Sequence, residues 1–136
     1  MVTVRYIVDD VDAAIAFYCG QLGFRELMHP APAFAMVVRD ELRLALSRPG
    51  GGPGGGAVLP DGTLPRPGGW NRISLQVPDL DADVRRLRQA GVPLRSEPVT
   101  GVGGRQVIVD DPSGNPVELF EPLLPEAREE ASGGGA

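Results

Sequence analysis

Lysine is absent from this chain: all 13 basic residues are arginine. Any mechanism that needs a lysine amine, such as a Schiff base or a phosphate-loop lysine, is therefore excluded. The single cysteine, Cys19, excludes an internal disulfide and any zinc or iron–sulfur centre built from several cysteines. The single histidine, His29, excludes sites that need two histidines from one chain. There is no apolar run long enough to span a bilayer, and no basic-then-apolar leader follows Met1, so no membrane partner and a cytoplasmic location are expected. Excess positive charge is also missing. The net charge is −5, which argues against nucleic acid as a partner.

The 136 residues, 42% of them apolar, suit one domain or two small repeats. Residues 2–8 alternate and are rich in β-branched side chains, the pattern of a strand. Asp10 is placed to cap a helix over 11–21 with Val11, Ile15, Tyr18 and Leu22 on one stripe, and Gly23 closes it. Strands are expected near 24–29, 33–39 and 42–47, the last two joined tightly at Asp40-Glu41. The pattern then restarts. Residues 71–77 read as a strand, Asp79 caps a helix over 80–90 with Leu80, Val84 and Leu87 inward, and Gly91 ends it. Strands near 94–99, 105–110 and 116–121 follow, the last two joined by Asp111-Pro112-Ser113-Gly114-Asn115. The chain thus divides into a first βαβββ module (1–48), a Gly/Pro-rich linker (49–69), a second βαβββ module (70–123) and a polar tail (124–136) read as disordered.

The two modules are a repeat. Val4, Tyr6, Val8, Asp10, Val11, Asp12 and Ala13 match Ile73, Leu75, Val77, Asp79, Leu80, Asp81 and Ala82 at a constant offset of 69. The same residues carry a family likeness. Asp10-Val11-Asp12, Phe17-Tyr18 and Leu22-Gly23-Phe24 resemble the first-module signature of the vicinal oxygen chelate superfamily, which includes glyoxalase I, bleomycin-resistance proteins, fosfomycin-resistance enzymes and extradiol dioxygenases. Gly68 to Ile73, Asp79-Leu80-Asp81 and Asp111 to Leu119 resemble the second module. The likeness covers about residues 2–122. It implies an α+β fold in which two βαβββ modules form a cupped mixed sheet, with helices on the outer face and a ligand cavity inside, and it implies a homodimer.

The resemblance also supplies a metal test. Metal-using members carry His, Glu or Gln on the first and last strand of each module. Here those positions, seven before each capping aspartate and on the matching last strands, are Thr3, Ala45, Arg72 and Glu118. One carboxylate cannot hold a transition metal that needs three or more protein ligands. No metal and no cofactor is therefore expected. Two readings of Arg72 and Glu118 stand side by side: an ion pair that fills the vacated site, or groups that hydrogen-bond a ligand.

Strand parity assigns the faces. Arg5 on the first strand, Arg43, Ala45 and Ser47 on the fourth, and Arg72, Ser74, Gln76, Glu118 and Phe120 in the second module fall on the cavity face. A two-residue turn at Asp40-Glu41 adds Phe34, Met36 and Val38 to it. The opposite face, Val2, Val4, Tyr6, Val8, Leu42, Leu44, Leu46, Ile73, Leu75, Val77, Val117 and Leu119, is wholly apolar and is expected to pack under the helices. Trp70 either packs its loop or stacks on a planar ligand. The Gly-rich segment 50–56 is either a lid or a tether. His29 reads as an exposed loop residue, Cys19 as a small buried filler, and Arg85, Arg86 and Arg88 as a solvated face.

The functional expectation from the resemblance is non-catalytic binding and sequestration of a small aromatic or polycyclic antibiotic, giving resistance or self-resistance. The arginines on the cavity face favour a neutral or anionic guest. The alternative is a metal-independent lyase or isomerase of the same superfamily, with Glu118 as its acid–base group. A third is an accessory subunit with a filled cup.

Overall fold

A computed structural model describes residues 1–52 and 55–124. Both helices begin where an aspartate side chain replaces a missing backbone partner. Asp10 Oδ1 accepts from the Ala13 amide at 3.0 Å, and helix α1 runs Val11–Gln21. Asp79 Oδ1 accepts from the Ala82 amide at 3.1 Å, and helix α2 runs Leu80–Gln89. Each helix ends against a left-handed glycine, Gly23 at φ 73° and Gly91 at φ 77°. Strand β1 (Val2–Ile7) precedes α1, and β2 (Arg25–Ala31), β3 (Phe34–Arg39) and β4 (Leu42–Ser47) follow it. In the second repeat, β5 (Ile73–Gln76) precedes α2, and β6 (Val99–Thr100), β7 (Gly104–Asp110) and β8 (Pro116–Pro122) follow.

These strands form two four-stranded mixed sheets of the same topology, β1-β4-β3-β2 and β5-β8-β7-β6. In each, the first strand runs parallel to the last, and the others are antiparallel. The tight Asp40-Glu41 turn, with Asp40 at φ 52°, pairs Val38 with Arg43 and Met36 with Ala45, the register the turn length requires. The described chain separates into two compact units, 1–70 with 111–115, and 71–110 with 116 onward. The linker and the turn between β7 and β8 thus belong to unit 1. Apart from Leu124, the expected tail lies outside the described residues.

In unit 1, α1 lies on β2, β3 and β4. The apolar face is buried largely as alternation demands: Tyr6, Val8, Leu44 and Leu46, joined by Ala35 and Val37. Each such Val or Leu contributes roughly 1.5–3 kcal/mol. Val2 departs from the expectation, being 64% exposed at the open start of β1. On α1 the inward stripe is Val11, Ala14, Phe17 and Tyr18, whereas Ile15 is only half-buried. Phe17, Tyr18, Phe24 and Tyr6 meet edge to face around Tyr18. In unit 2, Leu80, Val84 and Leu87 of α2 are buried with Ile73, Leu75, Val117 and Leu119.

One expected strand largely fails. Residues 94–99 hold a single bridge, Leu94 to Val109, before the two-residue β6. Pro93 and Pro98 lack the amides a continuous ladder needs. Arg95 is turned instead to Asp110, 2.7 Å away. No helix among the described residues is long and apolar enough to cross a membrane.

Candidate functional site

In unit 1 the ladder aligns the face opposite α1 in three rows. Thr3, Arg43 and Val38 form the first, Arg5, Ala45 and Met36 the second, and Ile7, Ser47 and Phe34 the third. Ala45 and Val38 are buried and present almost no surface. Met36 and Phe34 are half-buried. The Arg43 Nε is buried and has no hydrogen-bond partner among the described residues. Arg5 Nη1 donates to Ser47 Oγ at 2.8 Å. Arg5, Ser47 and Phe34 line a cavity of about 260 Å³, completed by Ala33, Arg48 and four glycines: Gly51, Gly52, Gly55 and Gly56.

Gly51, Gly52, Gly55 and Gly56 are thus part of the cavity wall. A Cβ on Gly55 would collide with the Arg5 guanidinium, one on Gly51 with the Ala33 methyl, and one on Gly56 with the Arg48 carbonyl. Gly50 and Gly51 also donate their amides to Gly56 O and Arg48 O. Close backbone approach, not chain flexibility, explains Gly51, Gly55 and Gly56.

Unit 2 brings together Arg72, Ser74 and Glu118. Arg72 Nη2 lies 2.9 Å and Nε 3.1 Å from Glu118 Oε1. Ser74 Oγ donates to Glu118 Oε2 at 2.8 Å. Both oxygens of the carboxylate are held, and the pair is largely shielded, with side-chain exposures of 26% and 15%. Gln76 lines a second cavity of about 300 Å³ with Val77, Pro78, Glu121 and Pro122. Phe120, opposite Gln76 and Gln106, is half-buried. Trp70, the last residue of unit 1, is 68% exposed.

Sequence reasoning missed a buried polar cluster. The Asp111 carboxylate is 3% exposed. It accepts from the Tyr18 hydroxyl at 2.8 Å, from the Ser113 and Asn115 amides at 2.8 and 2.9 Å, and from Asn115 Nδ2 at 3.0 Å. Asn115 Nδ2 also donates to Ile7 O, and its Oδ1 accepts from the Gly68 amide. Burial, and then the Asp111 charge and hydrogen bond, push the Tyr18 phenol well above the ordinary tyrosine range. The signal available was Asp111-Pro112-Ser113-Gly114-Asn115, rich in polar residues suited to bonding a turn.

Cys19 is half-buried, less enclosed than a filler, and burial followed by the Glu26 charge raises its thiol pKa. His29 lies on strand β2, not in a loop, and its Nε2 is 3.8 Å from Asp12 Oδ1. Arg85, Arg86 and Arg88 are exposed, with Arg86 on Asp83 and Arg88 on Glu97.

The donor set does not fit a divalent metal. Unit 1 offers the Thr3 hydroxyl and the Ala45 methyl at the positions where metal-using relatives need donors. Unit 2 offers a guanidinium already bonded to the one carboxylate. No three His, Cys, Asp or Glu side chains converge among the described residues.

Comparison with known proteins decides the family. A model described as the Glyoxalase/Bleomycin resistance protein/Dioxygenase superfamily matches residues 1–119. The chain belongs to this superfamily. A superfamily member from Sphaerobacter thermophilus DSM 20745 is 30% identical, with TM-score 0.70, over 88% of this chain and 94% of that one. TnmS3, an antibiotic-binding protein from Streptomyces sp. CB03234, is 26% identical, with TM-score 0.65, over 88% and 93%. Lactoylglutathione lyase from Agrobacterium tumefaciens shares the glyoxalase fold at 24% identity and TM-score 0.68, over 89% and 92%. Among curated proteins, none matches the sequence. The superfamily therefore contains both binders and enzymes, and the fold alone does not choose between them.

Proposed function

We propose that the protein binds a small aromatic or polycyclic antibiotic without altering it and protects its host by sequestration. The observation that carries this reading is the state of Glu118. An acid–base catalyst needs a carboxylate able to reach a substrate proton. Both oxygens of Glu118 are instead engaged, by Arg72 on one side and Ser74 on the other. Binding needs only shape, apolar contact and a few polar anchors. Arg5, Phe34 and Ser47 around the unit 1 cavity provide such groups, and Met36 and Arg43 on the same face of that sheet add further candidate contacts. The likeness to TnmS3 supports the same class. The alternative, a metal-independent lyase or isomerase, requires Glu118 to leave both partners.

The test is expression at graded levels in an antibiotic-sensitive bacterium. Sequestration by mass action protects only while protein exceeds drug, so the tolerated concentration of a bound drug should rise in proportion to protein level. Full protection at protein levels far below the drug would mark turnover and overturn the proposal.

A further inference from the structure

The unit 1 cavity has an unbalanced charge. Arg5 and Arg48 both line it, and among the described residues no Asp or Glu does. Among the described residues the Arg5 side chain makes one hydrogen bond, to the neutral Ser47. A guanidinium has five N–H donors, so most of those on Arg5 remain for another acceptor. Ser47 accepts from Arg5 through its oxygen and can still donate its own hydrogen. Beside these donors, Phe34 and Ala33 supply apolar wall. The Gly55 backbone lies so close to Arg5 that a side chain at position 55 would have to displace the guanidinium. The geometry pairs a planar cationic fork with an apolar surface beside the backbone of Gly51, Gly52, Gly55 and Gly56.

We propose that this cavity is a subsite for the acidic group of an aromatic guest, a carboxylate or a phenolate, held by Arg5 and Ser47 with Arg48 adding charge at the rim. The assignment rests on the aromatic-binding reading above and narrows it from neutral or anionic guests to anionic ones. Phe34 takes the edge of the ring next to that group, and the rest of the guest lies outside this cavity, whose volume of about 260 Å³ suits a fragment of one or two rings. Two like charges at one wall repel each other when the site is empty. An anion removes that repulsion and forms charge-assisted bonds in a partly desolvated place.

Calorimetric titration with three probes on one ring system tests this: 2-naphthoate, the uncharged 2-naphthamide and the cationic 2-naphthylmethylammonium. Naphthoate should bind at least about tenfold more tightly than the amide, and the ammonium should bind most weakly. Arg5→Gln should weaken naphthoate by about tenfold or more while changing the amide little, and Arg5→Lys should recover part of the loss. Gly55→Val, which puts a side chain on the Arg5 guanidinium, should weaken all three. Thermal unfolding of each variant separates lost binding from lost folding, and the ranking of probes on the unaltered protein needs no variant. Equal affinity for the three probes, or naphthoate binding indifferent to Arg5→Gln, overturns the subsite. If polycyclic drugs bind while naphthoate does not, the subsite fails and the sequestration reading stands. If neither binds, both fail.

Discussion

The proposed binding role turns on a single side chain, Glu118. Its charge is satisfied by Arg72 and its second oxygen by Ser74. Removing one partner of such a shielded pair leaves the other charge poorly solvated, so Arg72→Ala should cost about 1–3 kcal/mol in urea unfolding. An effect below a few tenths would mean that the pair is loose enough to release Glu118. Tyr18 makes a second prediction. Its phenol pKa is raised in the folded protein, so the unfolded state loses that proton first as pH rises. The stability this group contributes is then fully present and insensitive to pH near neutrality, and is lost as pH climbs past about 10. Tyr18→Phe should lose roughly 1–2 kcal/mol at pH 7 and show a shallower alkaline decline, measured by denaturant unfolding at the two pH values. The Arg72–Glu118 pair was legible in the sequence because strand parity and the repeat offset place both residues on one face. The Tyr18–Asp111 bond was not, because it joins residues 93 apart through a turn whose local pattern says only that it turns.

At the scale of elements, the aspartate caps and closing glycines were readable because they answer a local need, the unpaired ends of a helix. Asp10→Ala and Asp79→Ala should each lower stability by about 1 kcal/mol, seen as a shift of the urea midpoint without a change in slope. The strand expected over 94–99 forms only an isolated bridge and the start of β6, because Pro93 and Pro98 lack the donors that pairing uses. The glycine-rich linker was ambiguous for a related reason. Composition cannot distinguish glycines chosen for flexibility from glycines chosen for close approach. Gly51, Gly55 and Gly56 are of the second kind, each with a neighbour where a Cβ would sit. Replacing them with alanine should therefore disturb the unit 1 cavity more than lengthening the linker beyond Gly62 would, a contrast that naphthoate affinity measures directly.

For the whole molecule, the repeat predicted the fold because each βαβββ module specifies its own sheet by local alternation, caps and turns. The two sheets have the same strand order. Assignment of the β7–β8 turn to unit 1 was beyond such reasoning, since nothing in the repeat marks Asp111 and Asn115 as partners of Tyr18 and Ile7. The proposed difference in function is equally molecular in scale: a fold shared with enzymes here carries a threonine, an alanine and a salt-bridged arginine at the positions where metal-using members are expected to carry donors. The most direct measurement is the mass spectrum of a bound aromatic antibiotic recovered from the protein by denaturation after prolonged incubation. The account predicts the parent mass in full yield, with bound drug never exceeding the number of protein sites. A product of altered mass that accumulates beyond the amount of protein would contradict it.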